Sequence, residues 1–335
     1  MNRTLLLLLL VIGLSAGAWF LLKDQSKTPA TSVVGMDRNF SVDSKLVYKV
    51  FLADRHGNRT TLERTENGWI YNGKYKARKD AIGNLLSAIQ QIRMRYVPTK
   101  AAEPYMIESL ATHGIKVEIY GKDGENLKTY YVGGATNDEQ GTYIIMEGSE
   151  QPYVGELEHW TGNLRFRYNL LGDDWRDRSL FASKAEDIAE ISIDYPKQQN
   201  KSFRLNLRDG KQELTPYYPL SPRIQKPIKK GTVDAFVHNF EKVVAARFNN
   251  RNQERDSIEQ QIPFAIINLE EKDGDRFSLK LFPEIEKPFY DPKTGAYIQP
   301  EEISSYFGLT GTNDFMNIQN NIISKVLWGY DFFYE

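Results

Sequence analysis

Short runs of alternating apolar and polar residues, separated by turn signals, follow one another along most of the chain. Alternation with a period of two is typical of half-buried strands. Near the beginning of this pattern, Leu46–Leu52 and Thr60–Arg64 flank the turn Asp54–Asn58, and Asn67-Gly68 precedes a third run at Trp69–Tyr71. These runs predict a three-stranded meander.

Helical spacing interrupts the strands twice in the first half of the chain. An amphipathic helix is predicted over Lys79–Arg93, where apolar residues recur every three or four positions. A second, shorter helix is predicted over Tyr105–Thr112, because His113-Gly114 is a helix stop signal. Further strands are predicted at Ile115–Tyr120, Lys128–Val132, Thr142–Met146 and Tyr153–Val154.

The second half repeats this order at nearly constant spacing. Its predicted strands and helices are Ile188–Tyr195, Ser202–Arg208, Gln212–Thr215, a helix Thr232–Ala246 after the Pro-rich segment 216–227, a short helix Gln253–Gln261, and paired strands Phe264–Leu269 and Phe277–Phe282. We predict an α+β fold with two similar lobes, each a mainly antiparallel sheet with helices on one face. Duplication explains the repeated order, and coincidence among common meanders is the alternative.

An apolar segment precedes the lobes. Leu5–Leu22 has no charged residue and is flanked by Arg3 and Lys23. A helix of this length spans about 27 Å, close to the hydrocarbon thickness of a bilayer, so we predict a transmembrane anchor. The alternatives are a cleaved signal peptide, since Ala16-Gly17-Ala18 resembles a cleavage site, and a buried soluble helix. Charge does not decide the orientation, because cations lie on both sides.

These features predict the domain organisation. It consists of residues 1–22 as cytoplasmic tip and anchor, 23–40 as a tether, 41–160 as the first lobe, 161–186 as a connection, and 187–335 as the second lobe with an aromatic tail. A short N-terminal head usually stays in the cytoplasm, and the absence of Cys leans toward a non-cytoplasmic compartment. We therefore expect a single-pass inner-membrane protein with most of the chain in the periplasm.

The composition removes many chemistries. Of 335 residues, 43 are Lys or Arg and 44 are Asp or Glu, so no chain-wide basic field for nucleic acid exists. Without Cys there are no disulfides, thiol nucleophiles or thiolate metal sites. No phosphate-binding loop, dinucleotide fingerprint or hydrolase motif is present. The acidic–His–aromatic patch Glu156–Trp160 and the turn carboxylates Asp273 and Asp275 lack a nucleophile or a metal-ligand spacing, so we predict no catalytic residue, metal or cofactor.

Two aromatic segments are candidate interaction sites. The first is Trp175-Arg176-Asp177-Arg178, whose alternating charges either clip the lobes together or form a partner-binding surface with Trp175 as its anchor. The second is the tail, where Trp328, Tyr330, Phe332 and Phe333 follow a helix predicted from the spacing of Phe315, Ile318, Ile322 and Val326. An aromatic terminus docks on its own lobe, a partner protein or a membrane surface.

Four stretches carry a resemblance to a known family: Leu62–Trp69, Gly114–Tyr120, Lys128–Gly134 and Asp174–Arg178. With them the chain resembles the bacterial domain-of-unknown-function 4340 family, specifically its Bacteroidota-type members. The resemblance implies a membrane-anchored periplasmic protein of the kind often found beside ABC-transporter components of the gliding-motility type. The family supplies no catalytic residues.

Together these observations lead to a functional expectation. We expect a non-enzymatic periplasmic interaction module, tethered to the inner membrane and serving as an accessory subunit of an envelope transport or gliding-motility-type ABC transporter assembly. Its partners would be the membrane and proteins of that complex, with no nucleic acid. The alternative is a glycan- or lipid-binding protein that uses an inter-lobe cleft, and a hydrolase would need convergent polar groups that the sequence does not reveal.

Overall fold

The structure is a computed structural model that describes residues 38–160, 162–284, 289–290, 292–298 and 303–334. The predicted anchor Leu5–Leu22 and residues 23–37 of the tether lie outside this part of the chain. Among the described residues, no helix has the length and apolar character needed to cross a membrane. The contacts divide the chain into two compact units, with the boundary between Asp177 and Arg178.

The first unit is built on a nine-stranded sheet in which every pair of neighbours is antiparallel. Its strands are β1 (Lys49–Ala53), β2 (Arg59–Thr65), β3 (Gly68–Tyr71), β4 (Tyr75–Lys76), β5 (Ile92–Tyr96), β6 (Ile115–Tyr120), β7 (Asn126–Ala135), β8 (Thr142–Met146) and β9 (Tyr153–Leu157). The spatial order is β4-β3-β2-β1-β6-β7-β8-β9-β5. The predicted meander and the strands after it are therefore present.

The two helices of the first unit lie on opposite faces of this sheet. Helix α1 (Lys79–Gln91) packs Leu85 and Ile89 into the same core as Ile144 and Tyr153. Helix α2 (Glu103–His113) packs Met106 and Leu110 against Tyr143 and Val154 instead. Tyr143 and Ile144 are consecutive in β8, and consecutive strand residues point to opposite faces. The prediction of helices on one face is therefore wrong, because the sheet offers apolar residues on both.

The second unit is built on an eight-stranded antiparallel sheet. Its strands are β11 (Ile188–Asp194), β12 (Phe203–Asn206), β13 (Glu213–Pro216), β15 (Arg247–Phe248), β16 (Ala265–Glu271), β17 (Arg276–Glu284), β20 (Ser305–Thr310) and β21 (Phe315–Gln319). Two small ribbons join β10 (Ser179–Phe181) to β14 (Val243–Val244) and β18 (Phe289–Tyr290) to β19 (Tyr297–Ile298). The prediction of mainly antiparallel sheets is confirmed.

Helices also pack on both faces of the second sheet. Helix α3 (Thr232–His238) packs Phe236 into the main core, whereas helix α4 (Arg255–Glu259) packs Ile258 against Phe282 and Phe315. Helix α3 ends eight residues before the predicted end at Ala246. The chain turns into β14 instead, since the β-branched pair Val243-Val244 favours a strand.

The predicted C-terminal helix over Phe315–Val326 is wrong over its first half. Phe315–Gln319 is strand β21, which pairs with β20, and only Asn320–Ile323 forms a helix (α5) before a 3-10 turn at Ser324–Val326. Four consecutive residues of β21, from Phe315 to Ile318, are buried because both faces of the strand are covered. A strand buried on both faces loses the alternation by which strands are recognised.

The two sheets share one strand order. Without the edge strand β4, the first sheet reads β3-β2-β1-β6-β7-β8-β9-β5, and the second reads β13-β12-β11-β16-β17-β20-β21-β15. The strand pairs whose constant spacing was noted in the sequence, β1 with β11, β6 with β16 and β7 with β17, occupy equivalent positions. A helix follows the third strand of each meander, and a second helix packs on the opposite face.

The segment predicted to connect the lobes belongs largely to the first unit. Leu164, Tyr168 and Trp175 are buried in the same core as α1, and the unit boundary follows at Asp177. The hydroxyls of Tyr168 and Tyr130 lie 3.2 Å apart inside this core. The large rings of this segment thus complete the hydrophobic core of the first unit.

Candidate functional site

The structure places Trp175 in the core rather than on a surface. Its side chain is 0% exposed, and its indole N–H donates to the Leu170 carbonyl at 2.8 Å. The backbone N–H of Arg78, next to α1, donates to the Trp175 carbonyl. Trp175 therefore stabilises the first unit and is not an accessible anchor for a partner.

Each of the three charged residues after Trp175 contacts groups of its own unit. The Arg176 guanidinium lies 3.9 Å from the Tyr75 ring centroid and pairs with Asp173 at 3.0 Å. Asp177 pairs with Lys76 at 3.5 Å, and Arg178 donates to the backbone carbonyl of Ala246. These contacts fix Arg176 and Asp177 to the first unit and Arg178 to the second.

The aromatic tail docks on its own unit. Phe333 is 0% exposed, with its ring 5.1 Å from Phe203 and 5.2 Å from Phe236. The Trp328 carbonyl accepts a hydrogen bond from the Tyr195 hydroxyl at 2.9 Å, and burial raises the Tyr195 pKa above its usual value. Tyr330 is buried as well.

Phe332 is the exception in the tail. It is 56% exposed, and its ring rests on that of Trp328 at a centroid distance of 4.5 Å. Of the eight interaction candidates from the sequence, it is the aromatic side chain that remains available at the surface.

A groove of about 710 Å³ lies on the second sheet and is the strongest candidate for a binding site. It runs across β11, β16 and β17 to the turn after β20. The residues that precede and follow its polar positions, such as Ile191 and Ile267, point to the opposite face and into the core. The groove is therefore the polar side of a sheet whose other side is apolar.

Three neutral polar residues form a ladder across the middle of the groove. Ser192 is paired with Asn268, and Asn268 with Ser278, so the three side chains share one face. The Ser278 hydroxyl donates to Asn268 Oδ1 at 2.8 Å, and Asn268 Nδ2 lies 3.4 Å from the Ser192 oxygen. A carboxamide has two donors and two lone pairs, so this ladder keeps the capacity to bind a further polar group.

One end of the groove is an ion-pair network. Glu190 and Glu270 face each other across β11 and β16, where two like charges repel. Arg208 bridges them at 2.8 and 2.7 Å, and these hydrogen bonds raise the pKa of its guanidinium. Arg204 and Arg276 add one ion pair each, at 3.3 and 3.4 Å. Three guanidiniums therefore surround the two carboxylates and neutralise them.

The sequence reasoning missed this groove for a physical reason. Ser192 lies on a strand far along the chain from the hairpin that holds Asn268 and Ser278, and no local motif joins them. The hairpin register gave a partial signal, because the turn Lys272–Asp275 between two predicted strands sets Asn268 opposite Ser278.

The acidic patches noted in the sequence have structural roles. Glu156 forms ion pairs with Arg93 at 3.1 Å and with Arg95 at 3.8 Å, and these pairs connect β9 to the edge strand β5. In the β16–β17 turn, the carboxylates of Glu271, Asp273 and Asp275 approach one another within 4.8 Å. The Asp273 carboxylate accepts the backbone N–H of Asp275 at 3.1 Å, so it stabilises the turn itself.

Comparison with known proteins identifies the family. Residues 69–263, more than half of the chain, match the family described as a domain of unknown function (DUF4340). The chain belongs to this family. The matched region of this DUF4340 protein begins in β3 and ends before β16, so it includes parts of both units. No curated protein and no solved structure matches the chain.

Proposed function

We propose that this DUF4340 protein is a non-enzymatic, single-pass inner-membrane protein whose two units act as an interaction module in the periplasm. In this proposal it is an accessory subunit of an envelope transport or gliding-motility-type ABC transporter assembly. The apolar segment Leu5–Leu22 supports the anchor. A span of this kind would raise the effective concentration of the units for other membrane proteins.

The groove on the second sheet carries the proposal. Its carboxylates Glu190 and Glu270 are held by arginines, so their lone pairs accept hydrogen bonds within the sheet rather than serving a reacting group. The ladder around Asn268 instead offers donors and acceptors in a line along neighbouring strands. Such an arrangement suits the recognition of an extended polar segment of a partner protein.

Co-purification from native membranes tests this function. Asn268→Leu removes the middle of the ladder, and the matched control Asn126→Leu makes the same change at an exposed position of β7 in the first unit. We expect the wild type and the control to retain a specific membrane partner and Asn268→Leu to lose it. Recovery of the isolated protein alone from wild-type membranes contradicts the proposal.

Glycan binding is the second candidate, and the lining of the groove favours it. Hydroxyl and carboxamide groups of Ser192, Asn268 and Ser278 are the groups that recognise sugar hydroxyls. Calorimetric titration with soluble oligosaccharides separates the two candidates. A heat of binding that the wild type shows and Asn268→Leu lacks supports a glycan ligand. If the wild type shows no heat of binding, the protein partner remains as the proposed occupant of the groove.

A further inference from the structure

Residues 216–230 form a strongly basic segment in a chain that is otherwise near neutral. The segment contains Arg223, Lys226, Lys229 and Lys230, and no Asp or Glu, whereas the whole chain has a net charge of −1. All four cationic side chains are exposed. In the part of the chain that the structure describes, none of them forms an ion pair with a carboxylate. Their charges therefore act outward.

A hydrogen-bonded turn holds an apolar side chain near the beginning of the basic segment. The Ser221 N–H donates to the Tyr218 carbonyl at 3.0 Å and closes a turn with Pro219 at its second position, where proline is favoured. Leu220 follows and is 98% exposed. The base of the turn is fixed in its own unit, because the Tyr218 hydroxyl donates to Asp194 at 2.8 Å.

The far end of the basic segment is fastened to the aromatic tail. The Lys229 N–H donates to the Phe333 carbonyl at 2.9 Å, and Ile228 forms a β-bridge with Tyr334. The exposed Phe332 is the residue before Phe333 in this tail. Two exposed apolar side chains, Leu220 and Phe332, thus belong to adjoining segments that also present the four cations.

The first unit shows that the fold does not require this segment. In the first unit the connection from β3 to α1 runs from Asn72 to Arg78 and contains the short strand β4. The equivalent connection in the second unit, from β13 to α3, is about twice as long. Both connections are basic, but in the first unit Lys76 pairs with Asp177 and Arg78 with Asp80. In the second unit, Leu220 gains nothing from folding because it is almost fully exposed, so it is free to contact another surface.

We propose that the basic segment and Phe332 dock on the anionic headgroups of a phospholipid bilayer, with Leu220 inserted among them. Each Lys or Arg near an anionic surface strengthens partitioning about fivefold at low salt. Four such residues together are worth on the order of several hundredfold. The contact goes beyond the proposed function, because it is made by the folded second unit and does not depend on a partner protein.

A fluorescent reporter on the full chain tests this contact. The protein has no Cys, so Ser221→Cys provides a single site for an environment-sensitive label beside Leu220, and Asp273→Cys provides a control in another exposed turn of the second unit. The labelled proteins are placed in nanodiscs of phosphatidylcholine alone or mixed with phosphatidylglycerol. We expect a blue shift and quenching by spin-labelled lipid at position 221 in anionic discs only, and at position 273 in neither.

Two charge variants separate the location of the cations from net charge. Replacing Arg223, Lys226, Lys229 and Lys230 by Gln should abolish the blue shift, and high salt should do the same. Replacing the exposed Lys197, Lys211, Lys242 and Lys280 by Gln removes equal charge elsewhere on the unit and should leave the shift intact. Leu220→Asn, which preserves every charge, should reduce lipid quenching.

Three outcomes overturn the inference. They are an unchanged label in anionic discs, an equal shift in neutral discs, and a shift that appears only with an added acidic polypeptide, which would assign the surface to an acidic protein. None of these outcomes changes the result of the co-purification experiment with Asn268→Leu. Failure of the lipid contact and failure of the proposed function are therefore distinguishable.

Discussion

The two units share a strand order but differ in how the chain after the last long strand closes the core. In the first unit, Trp175 and Tyr168 are fully covered, whereas in the second, Phe333 is covered and Phe332 is exposed. In both units, the aromatic residues that follow the sheet mainly pack into the hydrophobic core. Features that belong to only one unit, such as the long connection 216–230 with its exposed Leu220, are better candidates for function.

The open faces of the two sheets also differ. In the first unit, the Lys116 ammonium contacts Glu118 at 2.8 Å and Glu147 at 3.0 Å, and these hydrogen bonds raise its pKa. In the second unit, the neutral ladder through Asn268 occupies the middle of the face. Charges that satisfy each other leave little for a ligand, while a carboxamide keeps spare donors and acceptors.

Removal of the closing rings should give the largest effects. Trp175→Ala and Phe333→Ala each leave a cavity in a fully buried site, so we expect each to lower the free energy of unfolding of its own unit by about 3–5 kcal/mol. Denaturant unfolding followed by hydrogen exchange assigns the loss to a unit.

The control for this pair is Phe332→Ala, next to Phe333 but largely exposed. We expect it to change stability by less than about 1 kcal/mol, since most of the ring already contacts water. A loss after Trp175→Ala that spreads equally over both units would break the comparison, because it would mean that the units do not close independently.

Alkaline pH should have the next largest effect, weakening the second unit through the buried Tyr195 and the first unit through two buried tyrosines. Burial raises the pKa of both Tyr130 and Tyr168, so the folded state keeps protons that the unfolded chain releases above about pH 10. The contribution of these two tyrosines to stability is therefore constant below pH 10 and falls above it, by up to about 1.4 kcal/mol per pH unit for each tyrosine. Unfolding midpoints measured across this range check the slope, and a flat profile up to pH 12 contradicts it.

The second unit offers an internal reference for that titration. The hydrogen bond to Asp194 raises the pKa of Tyr218 to about 12, but this hydroxyl can ionise without unfolding because the side chain is near the surface. Tyrosinate absorbance should therefore show a component that Tyr218→Phe removes while the fold persists.

Single hydroxyl deletions should have smaller effects. Tyr168→Phe leaves the buried Tyr130 hydroxyl without its partner, and Tyr195→Phe removes the donor to the Trp328 carbonyl. We expect each to cost about 1–2 kcal/mol in the unfolding of its unit. Tyr48→Phe, at a half-buried position, serves as the control, and equal losses in all three variants would remove any special role for the buried pairs.

Local patterns were sufficient to predict much of the fold. Strands Ile115–Tyr120 and Thr142–Met146 have the predicted bounds, and α1 begins at the predicted Lys79, because each pattern reports one buried face. Two of the errors have one cause. At Phe315–Gln319 and in the packing of α2, apolar residues are buried on both faces of a sheet, and the partner that covers the second face is distant in sequence.

The candidate site was less accessible to sequence reasoning. Aromatic clusters such as Trp175 attract attention, but their burial depends on the whole core. The ladder residues are ordinary Ser and Asn, and only the pairing of β11 with β16 brings Ser192 beside Asn268. The distribution of charge along the chain does indicate the basic segment, because residues 216–230 contain four cations and no acid.

Site-specific photocrosslinking tests the central claim, that the second unit binds a partner through its groove, most directly. A photoreactive residue at the exposed Thr312 stands at the rim of the groove, and one at the exposed Asp123 in the β6–β7 turn of the first unit is the control. We predict a discrete adduct with a membrane-complex protein from position 312 and none from position 123. Equal labelling at both positions, or no adduct at position 312 in native membranes, would contradict the account.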